Sequence, residues 1–341
     1  MRFAPKTGIG WNLTLFCLGA LAAARAAHAS CGAEGCSLDN GGFATGLRRF
    51  SIEASYQTVD QDRAQIGTGS ARIGEIPGEE DEVRTLSQTV LLKGQVSLGP
   101  RWLATLTLPY IDRLHRHISH DHASGETLLL HEWRYSGIGD ASLLASWKAW
   151  GRGDASTPLT VSLQGGVKLP TGRRHVTPID GDEPEPHARL GTGSYDALMG
   201  ASVTHYHPVR TLAGSPGTMP IFVSTAVTLT GRGTEDYRVG SMLDASAGVT
   251  YPLADRLQFL TQVNLRARAR DDAPAEDPAA HSNHVENTGG TAVYADPGLR
   301  FQAGPLVLVS GYVQLPIYQK VNGIQLVAPY HLWLGATYRL P

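Results

Sequence analysis

The sequence predicts an all-β protein: a transmembrane, antiparallel, up-and-down β-barrel of about twelve strands with long extracellular loops. Three observations carry this expectation. Residues 1–29 read as a secretory signal peptide. The remainder alternates apolar and polar residues in segments of about ten. The links between segments alternate between short turns and long polar stretches.

At the N-terminus, Arg2 and Lys6 supply a positive n-region, residues 9–24 an apolar core, and Ala27-His28-Ala29 an A-x-A cleavage site. A membrane anchor would need roughly 20 apolar residues, and Arg25 interrupts this run. Residues 30–45 lack a strand pattern and read as a periplasmic N-terminal segment bearing Cys31 and Cys36. Residues 46–341 read as the barrel. A net charge of −2 gives no basic footprint for nucleic acid.

The first segment, 47–57, places Phe50, Ile52, Ala54 and Tyr56 on one face and Ser51, Glu53, Ser55 and Gln57 on the other. The second, 85–98, opposes Leu86, Val90, Leu92 and Val96 to Ser87, Thr89, Lys93 and Gln95. After Gly99-Pro100, Trp102, Ala104, Leu106, Leu108 and Tyr110 share the apolar face. Further segments follow at 138–150, 159–169, 195–206, 220–230, 240–251, 257–269, 291–303, 306–318 and 329–340. An even strand number returns the last strand to the side where the first began.

Short or moderate links follow the even-numbered segments, as at Gly99-Pro100, 252–255 and Gly304-Pro305. Long polar stretches, 58–84, 112–137, 170–194 and 270–290, follow odd-numbered ones. Sorting by length assigns the short set to the periplasm and the long set to the outside. Trp102, Tyr110, Trp147, Tyr195, Tyr251, Tyr330 and Tyr338 stand near strand ends on the apolar face, where an interfacial girdle forms. Alternation alone does not tell outward from inward. A soluble sandwich or lipocalin-like barrel would turn the same apolar face to its core.

Several stretches are familiar together: Gly-Ile-Gly-Asp at 137–140, Val-Lys-Leu-Pro-Thr-Gly at 167–172, Leu-Gly-Thr-Gly-Ser-Tyr-Asp at 190–196, and Gln-Leu-Pro-Ile-Tyr-Gln at 314–319 followed by Val321-Asn322-Gly323. On these the chain resembles the outer-membrane barrels grouped as "MetA-pathway of phenol degradation"-like transporters. The resemblance implies a channel or uptake protein for a small solute in the cell outer membrane, with lipid and the barrel-assembly machinery as partners. Such barrels usually end in an aromatic residue read by that machinery. This chain ends Tyr338-Arg339-Leu340-Pro341, with Tyr338 in its place. The different-class alternative is a non-conducting structural or metal-binding barrel with a periplasmic partner.

Charges on the polar face form one candidate site. Asp140, Asp196, Asp244 and Asp296 begin down-going strands, and Lys168, Arg266 and Arg268 end up-going ones. In this register all lie inside the extracellular mouth, with Lys168 between Asp140 and Asp196, and Arg266 and Arg268 between Asp244 and Asp296. Cross-strand pairs would stiffen and seal the mouth. A charged constriction that selects solutes is the functional counterpart. Deeper in, Lys93, Lys148, Arg300 and Arg339 outnumber Glu53, which predicts mild anion selectivity.

His115, His117, His120 and His122 form a second candidate, since His-x-His in an extended chain turns two imidazoles to one side, as Zn²⁺ or Cu²⁺ requires. A solvated polar loop is the simpler reading. Cys31 and Cys36 form a local disulfide by default in an oxidising periplasm. No resident cofactor is expected. Enzyme readings fare poorly: no Gly-x-Ser-x-Gly elbow is present, and Ser194, His187 and Asp196 make a triad by residue type alone.

Overall fold

The computed structural model describes residues 49–73, 75, 81–120, 127–151, 159–175, 188–274 and 285–340. The expected signal peptide, Cys31, Cys36, His122 and His187 lie outside the described residues. The chain forms strands β1 (Phe50–Gln61), β2 (Arg63–Ile66), β3 (Gly69–Ser70), β4 (Asp81–Ser97), β5 (Trp102–His120), β6 (Thr127–Ile138), β7 (Ala141–Trp150) and β8 (Leu159–Leu169). These are followed by β9 (Asp196–Arg210), β10 (Pro216–Leu229), β11 (Met242–Ala254), β12 (Leu257–Arg268), β13 (Gly290–Gln302), β14 (Val307–Val321), β15 (Ile324–Val327) and β16 (His331–Leu340).

Each wall strand pairs antiparallel with its chain neighbours, and β1 pairs with both β4 and β16. At the closure Ser55 stands opposite Gly335 on one side and Leu91 on the other. β6 and β7 are two halves of one wall strand, both paired with β5 and broken at Gly139-Asp140. The wall is therefore a closed barrel of twelve antiparallel strands. Closure gives every wall strand two partners, so no backbone edge faces lipid.

The burial pattern resolves which face points outward. Ile52, Leu92, Leu106, Leu143, Met199, Val223, Val263, Leu299, Val309 and Leu334 are exposed. Ser55, Gln57, Ser87, Thr105, Ser146, Ser162, Ser202, Thr204, Gln262 and Gln314 are buried. A soluble barrel has the opposite arrangement. Here the apolar face meets the lipid and the polar face lines the lumen. Trp102 and Trp147 stack with centroids 6.1 Å apart beside the short turns. Tyr110, Tyr195 and Tyr330 are exposed near the opposite rim, so both ends of the belt carry amphipathic rings.

Two long loops expected from the sequence contain strands, which corrects that reading. Within 112–137, β5 continues to His120 and β6 starts at Thr127, with His115 opposite Trp133. Within 58–84, β1 extends to Gln61 and β4 begins at Asp81. The intervening β2 and β3 form a small sheet with β15. Gln61 ties that sheet to the barrel by donating from Nε2 to Leu326 O at 2.9 Å. These segments pair above the lipid belt, where no apolar face is needed.

Candidate functional site in the barrel lumen

Three distant stretches, 137–140, 167–172 and 190–196, meet at one corner of the mouth. The Lys168 and Asp196 backbones are cross-strand neighbours on β8 and β9. Lys168 Nζ lies 3.2 Å from Asp140 Oδ2 and 2.7 Å from Asp196 Oδ2, and it donates to Thr192 Oγ1 at 2.5 Å. Asp140 Oδ1 accepts the Gly172 N–H at 2.9 Å, and its Oδ2 accepts the Thr192 N–H at 3.0 Å and the Thr192 hydroxyl at 2.9 Å. Ser194 donates to Asp196 Oδ1 at 2.7 Å, and the Gly231 N–H reaches the same oxygen at 3.1 Å. Gly172 and Gly191 make the close approach possible, because a Cβ on Gly172 would stand 2.7 Å from Gly191 Cα. Chemically this is a tie: two carboxylates and one ammonium hold both ends of the segment between β8 and β9 against the wall.

Three strands further round the wall, Arg266 Nε lies 2.8 Å from Asp244 Oδ1, and the two residues face each other across β11 and β12. Arg268 and Asp296 require correction. Arg268 Nη2 bonds Asp271 Oδ1 at 2.8 Å, a carboxylate only three residues on that also accepts the Gly240 N–H and the Tyr237 hydroxyl. The chain turns back within one step of leaving β12, so this local acid displaces the cross-strand one. Asp296 stands opposite Gln262, well below Arg266. Its Oδ2 accepts amide N–H groups from Asn264 at 2.5 Å, Gln314 at 3.1 Å and Gln262 at 3.2 Å. It belongs to a deeper layer held by amides.

Below that layer the inner face turns apolar, with Leu260, Tyr312 and Trp333 buried together and Leu91 packed on them. Period-two alternation alone does not mark this layer. The parity shared by Trp333 with His331 and by Tyr312 with Gln314 was the available signal. Lower still, Lys93 Nζ lies 3.6 Å from Glu53 Oε1, and Lys148 Nζ donates to Pro100 O at 3.3 Å, at the periplasmic turn. Arg300 and Arg339 share the inward parity of their strands.

His115 and His117 lie on β5 above the mouth and are buried. Both rings pack against Trp133, with centroids 5.4 and 4.3 Å away, and Thr85 Oγ1 bonds His115 Nδ1 at 2.8 Å. Nearby, the Tyr135 hydroxyl donates to Ala188 O at 2.5 Å. Burial pushes the Tyr135 phenol above its ordinary value, while Arg113 pulls it the other way. Among the described residues no group of three His, Cys, Asp or Glu could hold a metal ion.

A closed twelve-strand barrel with an apolar outer belt and a polar, charged interior defines the class: an outer-membrane β-barrel. Comparison with solved structures places this fold beside an outer membrane channel, "COG4313", from Pseudomonas putida F1, at 13% identity and a TM-score of 0.59, covering 89% of this chain and 99% of that one. A Pseudomonas aeruginosa FadL homologue gives 11% identity, a TM-score of 0.42, and coverage of 85% and 90%. The β domain of the Bordetella autotransporter Brka gives 10% identity, a TM-score of 0.46, and coverage of 85% and 99%. No protein-family model matches the chain, and no curated protein matches its sequence.

Proposed function

We propose that this chain is a channel or uptake protein for a small solute, placed in the outer membrane by the barrel-assembly machinery, with lipid around its apolar belt. The observation that carries the reading is the inner face. Polar and charged side chains occupy it at the mouth, as Asp244 and Arg266, and near the periplasmic rim, as Glu53 and Lys93, on either side of the apolar layer of Leu260, Tyr312 and Trp333. Charged stretches of this kind favour a water-soluble molecule. The structure that matches at a TM-score of 0.59 is described as an outer membrane channel, which supports the same reading. The finer assignment, to the phenol-degradation-like transporters, rests on the stretches 137–140, 167–172 and 190–196, which form the Asp140 tie, together with 314–319 and 321–323. No catalytic step is part of this proposal: the Ser194 hydroxyl is engaged by Asp196, Lys168 and Thr192 as a strut.

The test is conductance of the purified protein in a planar bilayer. Discrete current steps are expected. In a salt gradient the reversal potential should lie toward the anion side, because Lys93, Lys148, Arg300 and Arg339 outnumber Glu53 on the lower inner face. A protein that inserts yet passes no current in any of several reconstitutions overturns the proposal in favour of a non-conducting barrel. Cation preference overturns the selectivity.

A further inference from the structure

Between the mouth pairs and the apolar layer, β12, β13, β14 and β16 present a buried polar cluster whose bonding has a fixed direction. Asp296 is 0% exposed and His331 4%. The Asp296 carboxylate accepts only, so Gln314 must turn its NH₂ toward it, at 3.1 Å. That leaves Gln314 Oε1 facing His331 Nδ1 at 2.8 Å. An amide oxygen also accepts only, so the His331 proton sits on Nδ1. In the neutral ring Nε2 is then a bare lone pair. The relay Asp296–Gln314–His331 thus ends in two acceptors, Asp296 Oδ1 and His331 Nε2. Both are shielded from solvent, and neither has a hydrogen-bond partner among the described residues. Buried acceptors are rarely left in this state.

The missing partner is a donor, and the surroundings restrict its kind. Arg266 is the next inward residue above Asn264 on β12, which disfavours a cation. Beneath the cluster, one inward position down on β12, β14 and β16, lie Leu260, Tyr312 and Trp333, which favour hydrocarbon. We propose that this cluster is a binding station for a small neutral alcohol. Its hydroxyl donates to Asp296 Oδ1, the charged and therefore stronger acceptor, and its hydrocarbon rests on Leu260, Tyr312 and Trp333. The station names a solute class for the lumen and rests on the conduit reading given above.

Benzyl alcohol and anisole are isomers of nearly equal size, and only the first carries a hydrogen-bond donor. Each is titrated calorimetrically into the purified barrel in micelles, with protein-free micelles as the blank. Benzyl alcohol should bind about tenfold tighter than anisole, and Asp296→Asn should bring the ratio near one. If Asp296→Asn fails to give the heat-dependent gel shift of a folded barrel, His331→Phe is the second variant. It keeps a ring beside Tyr294, breaks the relay, and should reduce the ratio. Equal affinities in the unaltered protein overturn the station. So does binding of neither isomer, the outcome expected if trapped water fills both acceptors. Binding with preference but without conductance would sink the conduit reading alone. Conductance without preference would sink the station alone.

Discussion

Lys168→Met isolates the mouth tie. Methionine is close to lysine in length but carries no charge, so the substitution keeps the volume and deletes the ammonium. Asp140 and Asp196, whose side chains are 7% and 4% exposed, would then face each other without a cation. Lys168 itself is only 18% exposed, so solvent screens the pair weakly. Removing one partner of a buried ion pair costs about 3–5 kcal/mol. Asp140 keeps three hydrogen bonds and Asp196 keeps two, which places the expected loss near the lower end, about 3 kcal/mol. Adding Asp196→Asn removes one of the two stranded charges and should recover about 1–2 kcal/mol of that loss, a coupling typical of contacting residues. Urea unfolding of the barrel in lipid vesicles measures both quantities. A Lys168→Met change within about 0.5 kcal/mol of the unaltered protein, the range of ordinary surface substitutions, would refute the tie as a stabilising element. A double variant that costs the sum of the singles would refute the charge argument specifically.

Gly172→Ala should strain the same corner from the steric side, since the added Cβ would stand 2.7 Å from Gly191 Cα and 2.9 Å from Asp140 Oδ1. A loss of about 1–3 kcal/mol and faster tryptic cutting after Arg173 or Arg174 are expected, and an unchanged cutting rate counts against the packing argument. Val263→Arg sets a charge on the lipid face near the middle of β12, where Val263 is 48% exposed. It should destabilise the barrel by about 2–4 kcal/mol, and a neutral result in the same urea assay would mean that this face does not meet lipid. Tyr135, raised above the ordinary value of 10.0 by burial, should ionise later than the exposed tyrosines, and its late contribution to the absorbance titration should vanish in Tyr135→Phe. A raised value in the folded state means that its stabilisation is complete below pH 10.0 and declines as pH rises through the folded value.

The wall was legible because lipid forces a strict rule on it. Every second residue of a spanning strand must be apolar, so the 159–169 and 257–269 segments of the sequence fall within one residue of β8 and β12. The hairpin above the rim was not legible for the same reason. On β5, Asp112, Leu114, Arg116 and Ile118 alternate with Arg113, His115 and His117, and neither series is apolar throughout. Outside the membrane the backbone still pairs, while the second face no longer has to satisfy hydrocarbon. Burial of His115 and His117 against Trp133 comes from tertiary contact that period-two reading does not see. Arg268 shows the complementary failure. Cross-strand geometry pointed to Asp296, yet Asp271 lies three residues away in a loop whose fold no periodicity encodes.

The layering of the inner face follows from these corrections and has consequences for passage. Had Asp296 paired with Arg268, the mouth would carry one more charge pair and the layer directly beneath it no carboxylate. Instead each mouth cation is paired locally, Lys168 with both Asp140 and Asp196, Arg266 with Asp244, and Arg268 with Asp271, which leaves this set one carboxylate in excess. Matched pairs produce fields that decay quickly with distance, so the mouth discriminates weakly by charge. Discrimination then falls to the layers beneath: the amide-held carboxylate of Asp296, the apolar group of Leu260, Tyr312 and Trp333, and the basic excess near Glu53. Substitutions at the mouth should therefore alter the stability of the barrel more than its ion preference. Substitutions of Arg300 or Arg339 should do the reverse, and reversal potentials measured beside urea midpoints on one set of variants separate the two effects.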